Sequence, residues 1–302
     1  MAVAASAIEQ PRSSAASIAD GSARKPIAGS RRKPHPIRTP APIAIPPNLA
    51  IPRYGRGMEP FQSGETLVYQ ASWEGFAVAD ARVTLARNRS HPSWWTGQMW
   101  ITTSPAADLL YRMRDYFHED FDYTTWRPQH LYIVQHEKSR LDIWRATFND
   151  PAHMVTAIKT NRAGRTWIRR FSGGEPWGPF SGAMMALSQP LTPGQTYTVD
   201  VFSGGNRYVL AFAVRQREPL TTALGTFSAL RIEPSAVWLS ENSFRDQARS
   251  MTVWVTDDKR HLPLRIESAV FFGVVRADLT QIVRPPSSTG AKPISVQGAV
   301  AR

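Results

Sequence analysis

Hydrophobic and polar residues alternate along most of the chain between residues 64 and 283. The clearest example begins at Met251, where Met251, Val253 and Val255 alternate with threonine and tryptophan. The polar cluster 257–261 interrupts the alternation, which resumes at Leu262. Successive side chains of a strand point to opposite faces, so this pattern predicts a hairpin of two half-buried strands.

The same device recurs upstream, with glycine, proline and asparagine between short alternating runs. The period changes to a helical one at two places only. Ser104 and Pro105 open a run to Met113 that has a capping residue, proline at the first position and apolar residues at helical spacing. A second short helix is predicted over 179–187, ended by Pro190.

This arrangement predicts an all-β fold, an antiparallel barrel or curled half-barrel of about a dozen strands with two short helices. Closing or curling such a sheet removes exposed edges. We expect a single β domain over residues 58–283. We expect disorder in a Pro/Ala/Arg-rich basic tail, 1–57, and in a C-terminal tail, 284–302, because neither has enough apolar surface to offset the entropy of ordering.

Charge separates the tails from the domain. Of the net charge of +12, the first 57 residues carry +7 and the residues after 283 carry +3, which leaves about +2 for the domain. The run Arg31-Arg32-Lys33 is either part of a solvated linker or a contact with an anionic membrane surface. No aromatic residue is interleaved with these cations, so no specific nucleic-acid partner is expected.

Cysteine is absent, which excludes disulfides, thiolate metal sites and cysteine nucleophiles. Met1 to Ile8 lacks the apolar run of a secretory signal, and no stretch reaches the length of a membrane-spanning helix. These features leave both a reducing cytoplasm and a cysteine-avoiding envelope open. The oligomeric state is not predicted.

Few residues suggest catalysis. His118, Asp120 and Asp122 share one face of a predicted strand, where they would bind a divalent metal, act as an acid/base set or, more simply, pair with cations on a neighbouring strand. Ser181 lies in GPFSGA, which is not the GxSxG nucleophile elbow. The histidines show no HExxH or HxH spacing. We therefore predict no catalytic residue, no metal site and no cofactor.

Tryptophan is the more informative residue type, with ten in the chain. Trp144 and Trp254 each lie beside aliphatic neighbours, so both faces of their strands carry apolar bulk. Either the helices and loops cover the second face, or an apolar cavity holds a hydrophobic ligand. Arg265 and Glu267 share a strand face as well. They form cross-strand ion pairs, or they point into a barrel and meet the polar head of that ligand.

The order of several short motifs resembles the bacterial domain of unknown function 3108 family. These motifs are GETLVYQASW at Gly64, DLLYRMRDYFHEDFD at Asp108, a proline-led helix before Pro190, VWVTDD at Val253 and LPLRIE at Leu262. The resemblance covers about residues 64–283. It implies the β fold and a periplasmic or envelope location, because members of that family are usually exported envelope proteins without an assigned activity. The missing signal peptide departs from that pattern.

Three functions follow as hypotheses. The first is non-catalytic binding or carriage of a hydrophobic, lipid-like ligand in a barrel cavity, with Trp144, Trp254, Arg265 and Glu267 as candidate contacts. The second is a scaffold or protein-interaction module of the envelope. The third, for which the sequence offers least, is a hydrolase that uses the face of His118 and Asp120.

Overall fold

The structure, a computed structural model, describes residues 43–44, 51–238, 251–269 and 273–285. Two helices and fifteen strands lie in these residues. The helices are α1 Pro105–Tyr111 and α2 Pro179–Leu187. The strands are β1 Ile43–Ala44, β2 Glu65–Trp73, β3 Phe76–Arg87, β4 Trp94–Thr103, β5 Arg114–Asp122, β6 Pro128–Glu137, β7 Arg140–Asn149, β8 Met154–Asn161, β9 Thr166–Ser172, β10 Thr196–Ser203, β11 Asn206–Thr222, β12 Gly225–Trp238, β13 Met251–Thr256, β14 Pro263–Ala269 and β15 Val274–Val283.

Fourteen of these strands, β2 to β15, form one antiparallel sheet. Its order is β9 to β2 in descending sequence, then β15 to β10 in descending sequence. Each strand from β2 to β9 pairs with its sequence neighbour, as does each from β10 to β15, and β15 pairs with β2 to join the two series. The sheet does not close through a backbone ladder between β9 and β10. The all-β antiparallel prediction is therefore confirmed, in its curled and open form.

Local sequence explains where the two helices begin. Ser104 caps α1, its Oγ accepting a hydrogen bond from Ala107 N–H at 3.3 Å, and Pro105 takes the first helical position. No residue of α1 is buried, so α1 does not cover an apolar sheet face. Helix α2 begins with Pro179 and has eight buried residues. It connects the two outermost strands of the antiparallel sheet, β9 and β10.

The inner face of the sheet forms the core. Alternation in β5 is typical: Phe117 and Phe121 are fully buried, whereas His118 and Asp120 lie on the outer face. Trp95, Met99, Ile133 and Leu67 continue the inner face across neighbouring strands. One apolar face per strand is what an antiparallel sheet with a single covered face requires.

The edges of β9 and β10 approach each other at a seam, which we define by the contacts between β9 and the β10–β11 hairpin. Phe171 and Phe202 meet edge to face, with ring centroids 5.3 Å apart. Arg169 Nη1 donates to the carbonyl oxygen of Gly205 at 3.3 Å. A single parallel bridge joins Trp177, which follows β9, to Val201 of β10. Side chains and this bridge therefore bring the two edges of the sheet together.

Residues 51–57, which the sequence assigns to the tail, lie against the domain. Tyr54 Oη accepts a hydrogen bond from Thr198 N–H at 2.9 Å, and the Arg56 guanidinium lies 4.9 Å from the Trp126 ring centroid. A side chain at Gly57 would collide with the carbonyl group of Ser188. Most of the two predicted tails, including the run Arg31-Arg32-Lys33, falls outside the described residues, so their disorder stays a prediction.

Candidate functional site

Helix α2 lies inside the curve of the sheet, against the inner face. All of its residues except Ala183 are buried, although the helix has only nine residues. A helix that is apolar around its whole circumference needs neighbours on every side. The strands supply them: α2 contacts β10 and β5 in particular. The interior of the curled sheet is thus filled mainly by the protein's own helix.

A buried carboxylate holds the beginning of α2. Glu119 of β5 is fully buried; its Oε2 accepts a hydrogen bond from Phe180 N–H at 2.7 Å and its Oε1 from Ser181 N–H at 3.3 Å. The Ser181 hydroxyl also donates to Oε1, and Ser181 Oγ accepts from Gly178 N–H at 3.0 Å. An acidic group at a helix N-terminus satisfies N–H groups that have no partner within the helix and interacts favourably with the helix dipole.

Burial raises the pKa of Glu119 to about 7, although the hydrogen bonds from Ser181 and Phe180 oppose this shift. The nearby charge of Asp120 also favours the protonated form of Glu119. Among the described side chains, no lysine or arginine forms an ion pair with Glu119. Its charge is therefore balanced by backbone and hydroxyl donors of α2.

Two glycines allow this close approach. A Cβ at Gly178 would overlap the carboxylate of Glu119. A Cβ at Gly97 of β4 would lie 2.5 Å from Cγ of Phe180, well inside van der Waals contact. Neither glycine has a positive φ, so what requires glycine here is space for the neighbouring side chain. The start of α2 therefore packs so closely on β4 and β5 that no methyl group can be added at either glycine without a clash.

Beside α2 lies a cavity of about 100 Å³, which we call the α2 cavity. Its walls are apolar or aromatic and come from α2, both halves of the sheet and the loops at one end. The lining residues include Phe61, Leu67, Tyr69, Val83, Leu85, Met99, Phe180, Ala183, Ala186, Leu187, Leu191, Tyr197, Phe212, Ile232, Val253, Val255, Ile266 and Ala277.

The two tyrosines of the α2 cavity turn their hydroxyl groups to backbone carbonyls. Tyr69 Oη donates to the carbonyl oxygen of Pro263 at 2.9 Å, and Tyr197 Oη donates to that of Pro190 at 2.6 Å. A molecule in the cavity would therefore contact the two tyrosine rings but would find no free tyrosine hydroxyl group. A cavity without polar partners does not hold ordered water and suits an apolar group.

The two predicted tryptophan contacts lie away from this cavity. Trp144 is buried at the seam, where its ring packs directly on Gly205 and leaves no room for a Cβ there. Trp254 is half-buried on the outer face of β13, and its Nε1–H donates to Glu218 Oε1 at 2.5 Å. Each indole is engaged with the protein itself, and neither borders the α2 cavity.

Arg265 and Glu267 form cross-strand ion pairs between β14 and β15. Arg265 Nε lies 2.5 Å from Asp278 Oδ1, and Arg276 Nε lies 2.7 Å from Glu267 Oε1. In each pair the partners stand directly opposite in the β14–β15 register. Both pairs are partly exposed and lie on the outer face of the sheet. Neither Arg265 nor Glu267 borders the α2 cavity.

His118 and Asp120 do come together, also on the outer face of the sheet. His118 Nε2 and Asp120 Oδ2 are 3.0 Å apart. Hydrogen bonds from Thr96 Oγ1 and Asn88 Nδ2, at 2.6 and 3.1 Å, occupy the other oxygen of Asp120. Burial favours a higher pKa for Asp120, but the hydrogen bonds from His118, Thr96 and Asn88 outweigh it and lower the pKa. Within the described ranges, no group of three or more His, Cys, Asp or Glu residues is arranged to hold a metal ion.

A second, polar cavity of about 600 Å³ lies at the seam, between residues 51–56 and the segment 173–177. Its charged side chains already have partners. Arg127 is held by Asp150 at 2.8 Å and stacks on Trp177, with its guanidinium 4.4 Å from the ring centroid. Asp200, which also lines this cavity, pairs with the buried Arg207.

One known protein family matches this chain over nearly the same residues as the antiparallel sheet. The family described as "Protein of unknown function (DUF3108)" matches residues 68–280, from the first antiparallel strand to the last. The chain belongs to the DUF3108 family. Its description assigns no activity, and no curated protein matches the chain.

Solved structures support the fold of this DUF3108 protein. A β-barrel-like protein of the DUF1849 domain from Brucella abortus aligns with a TM-score of 0.51 at 9% identity, over 72% of this chain and 96% of the other. Two further structures align with lower TM-scores. A protein named as a candidate lipoprotein from Parabacteroides distasonis has a TM-score of 0.32 at 9% identity, over 76% and 100% of the two chains. One named as a candidate exported protein with a YmcC-like fold from Bacteroides fragilis has 0.30 at 12% identity, over the same shares.

Neither helix in the described part of this DUF3108 chain is long and apolar enough to cross a lipid bilayer.

The residue that sequence reasoning missed is Glu119. The pattern did contain a pointer to it, because Glu119 stands between Phe117 and Phe121 on the apolar face of β5. A lone carboxylate on an apolar strand face needs buried hydrogen-bond donors. Here the N-terminus of α2 supplies them.

Proposed function

We propose that this DUF3108 protein is a non-catalytic protein of the cell envelope that binds a hydrophobic, lipid-like group in the α2 cavity. The observation that carries the proposal is the chemistry of the cavity walls. They are formed by aliphatic side chains and by rings whose hydroxyl groups bond elsewhere. Contact with such walls removes apolar surface from water and provides no polar recognition.

The volume of the cavity limits what it holds. An engineered apolar cavity of about 150 Å³ in another protein stays dry and binds benzene, so about 100 Å³ accommodates a small apolar group. Pockets that enclose whole drug-sized ligands measure roughly 300–1,000 Å³. The end of one acyl chain therefore fits with α2 in its present place, and a longer segment requires α2 to shift.

The proposed envelope location is supported by the resemblance of the sequence motifs to a family whose members are usually exported. The proposed ligand class agrees with that location, since lipids and lipid precursors are the abundant apolar molecules of an envelope. The scaffold hypothesis remains the alternative, and binding experiments separate the two.

The test uses the full chain with dodecanoate, below its micelle concentration, as a defined probe. Binding is measured by calorimetric titration and by native mass spectrometry. The variant Ala186→Leu adds side-chain volume at the cavity wall, and we expect it to weaken binding at least about tenfold because the added methyl groups occupy the same space. The matched control is Ala213→Leu, next to the cavity residue Phe212 but on the opposite face of β11.

Binding by the wild type and by Ala213→Leu, with loss in Ala186→Leu, supports the proposal. No binding by the folded wild type, or equal binding by both variants, overturns it and favours the scaffold. Cooperative urea unfolding of each variant confirms that the comparison is made between folded proteins.

A further inference from the structure

Three large apolar side chains are more exposed than any others in the described residues. Leu109 and Leu110 of α1 are 88% and 75% exposed, and Phe76, the first residue of β3, is 74% exposed. Single apolar side chains on a surface are ordinary, whereas several at one place mark a site of interaction. These three lie at the same end of the sheet.

The connections between strands bring them to that end. In an up-and-down antiparallel sheet every second connection lies at the same end, so those after β2, β4, β6 and β8 lie together. The start of β15 pairs with the end of β2, which brings residues 273–274 to the same end. We call these connections, residues 74–76, 104–113, 138–139, 162–165 and 273–274, the turn rim.

Hydrogen bonds link neighbouring connections, so the turn rim is one continuous surface. These bonds run from Val274 N–H to Glu74 Oε1 at 3.3 Å, from Ser104 N–H to the carbonyl oxygen of Val78 at 2.8 Å, from Lys138 N–H to that of Arg112 at 2.8 Å and from Arg162 Nη1 to that of Ser139 at 3.3 Å.

Polar contacts fix α1 on this rim. Asp108 Oδ2 lies 2.5 Å from Arg114 Nη2, and Tyr111 Oη donates to Glu137 Oε2 at 2.7 Å. No residue of α1 is buried, so its two leucines add little apolar burial within the described chain. Their apolar surface is available to a partner outside it.

The exposed charges of the turn rim are mainly positive. Arg112, Lys138, Arg162 and Arg165 are exposed, whereas Glu74 is the one exposed carboxylate in the rim as described. Cations beside exposed apolar groups are the combination that binds an anionic bilayer, because lipid phosphates attract the cations while the apolar groups enter the acyl boundary. The core of a protein interface is instead depleted in charged residues.

We propose that the turn rim docks this protein on the surface of an anionic lipid bilayer. Leu109, Leu110 and Phe76 enter the boundary between head groups and acyl chains, and the four cations contact lipid phosphates. Apolar groups at the tips of separate connections suit a fluid layer better than a preformed pocket. The rim residues do not line the α2 cavity, so this contact is independent of the proposed ligand.

The experiment measures binding of the full chain to vesicles of equal parts phosphatidylglycerol and phosphatidylcholine by co-sedimentation. Leu109→Asn/Leu110→Asn should weaken binding at least about tenfold, because two apolar side chains no longer leave water. Arg112→Gln/Lys138→Gln should weaken it about tenfold, and vesicles of phosphatidylcholine alone should bind poorly.

Matched controls lie in connections at the opposite end of the sheet. They are Leu224→Asn after β11, and Arg89→Gln/Lys259→Gln after β3 and β13. Neither should change binding. Urea unfolding of every variant confirms that folded proteins are compared.

A fluorescent label reports insertion directly. The chain contains no cysteine, so one engineered cysteine carries a nitrobenzoxadiazole label at a single site. On anionic vesicles, the emission of the label at Leu110→Cys should rise and shift to the blue, whereas the label at Leu224→Cys should not change.

Weaker binding in both rim variants, with the label change at position 110 alone, supports the proposal. It is overturned by a wild type that does not bind anionic vesicles, or by rim and control variants that bind equally. If only Arg31→Gln/Arg32→Gln/Lys33→Gln loses binding, the basic tail makes the contact and the rim does not. An unchanged label at position 110 in vesicle-bound protein also overturns it, and would leave the rim to a protein partner.

Discussion

Two of the buried carboxylates of this sheet, Glu119 and Asp200, are stabilised in different ways. Glu119 is 0% exposed and Asp200 is 3% exposed. Glu119 receives its hydrogen bonds from two backbone N–H groups and one hydroxyl of α2. Asp200 of β10 forms a two-pronged ion pair with Arg207 of β11, itself only 1% exposed, with Arg207 Nε 2.8 Å from Asp200 Oδ1.

The two carboxylates hold different parts of the fold together. Glu119 joins a strand to a helix that connects the two edges of the sheet, and its neutral donors leave the protonated form accessible near neutral pH. Asp200 fixes a guanidinium whose Nη1 also donates to the carbonyl oxygen of Gly173, directly after β9. The ion pair therefore ties the β10–β11 hairpin to the opposite edge, at the seam. The Asp200–Arg207 ion pair thus holds the two sheet edges together at the seam, whereas Glu119 holds helix α2 in place inside the sheet.

The largest expected effect comes from breaking the ion pair. Asp200→Ala should lower the free energy of unfolding by about 3–5 kcal/mol, because Arg207 remains charged and buried without its carboxylate. Urea unfolding followed by tryptophan fluorescence measures this change. The double variant Asp200→Ala/Arg207→Met should regain much of the loss, since it removes the uncompensated charge.

The matched control for this prediction is Asp278→Ala, which breaks the partly exposed pair with Arg265 on the outer face. Its expected cost is at most about 1 kcal/mol, as for other ion pairs near solvent. Equal costs for Asp200→Ala and Asp278→Ala would show that the seam does not depend on the buried pair.

The next effect is a pH dependence that Glu119 should produce. Its pKa is raised from 4.5 to about 7 in the folded protein, so between these values the unfolded chain releases this proton first. The contribution of Glu119 to stability is thus complete below pH 4.5 and is lost as the pH rises through 7. Between pH 5 and pH 8 the free energy of unfolding should fall by about 2–3 kcal/mol from this group.

Glu119→Gln isolates this contribution, because the amide resembles the protonated carboxyl and does not titrate. Urea unfolding of the wild type and the variant at pH 5, 6, 7 and 8 gives the two profiles. The profile of Glu119→Gln should be flatter than that of the wild type by the amount stated. Parallel profiles would mean that Glu119 stays ionised at both ends of the range.

The sequence predicted those parts of the fold that depend on neighbours along the chain. Ser104 and Pro105 marked the start of α1, Pro179 marked the start of α2, and alternation marked the strands. The family was also recognised from short motifs in order, and its match confirms it. These features are local, since capping, proline geometry and strand alternation involve residues a few positions apart.

The candidate site depends on contacts between residues far apart in the chain, which the sequence pattern does not contain. Trp144 and Trp254 were proposed as ligand contacts because apolar residues flank them on both faces. The ring of Trp144 packs on Gly205, which only the approach of two sheet edges brings near, and a ligand contact at either tryptophan stays a prediction. Asp200 and Arg207 gave no pattern that distinguishes a buried pair from a surface pair. The position of α2 inside the sheet was likewise undetermined, because an apolar helix fits either face.

The smallest expected effect tests how closely α2 is fitted to β5. Gly178→Ala should lower the free energy of unfolding by about 1–3 kcal/mol, because the added methyl group overlaps the Glu119 carboxylate and the backbone of Gly178 is already in an ordinary extended conformation. Gly55→Ala is the matched control, as nothing lies within 4 Å of its added Cβ. In the background of Glu119→Ala, which removes the overlapping carboxylate, Gly178→Ala should cost much less. If Gly178→Ala costs as much free energy of unfolding in that background, the added methyl group does not clash with Glu119. Helix α2 would then be held by its apolar contacts alone.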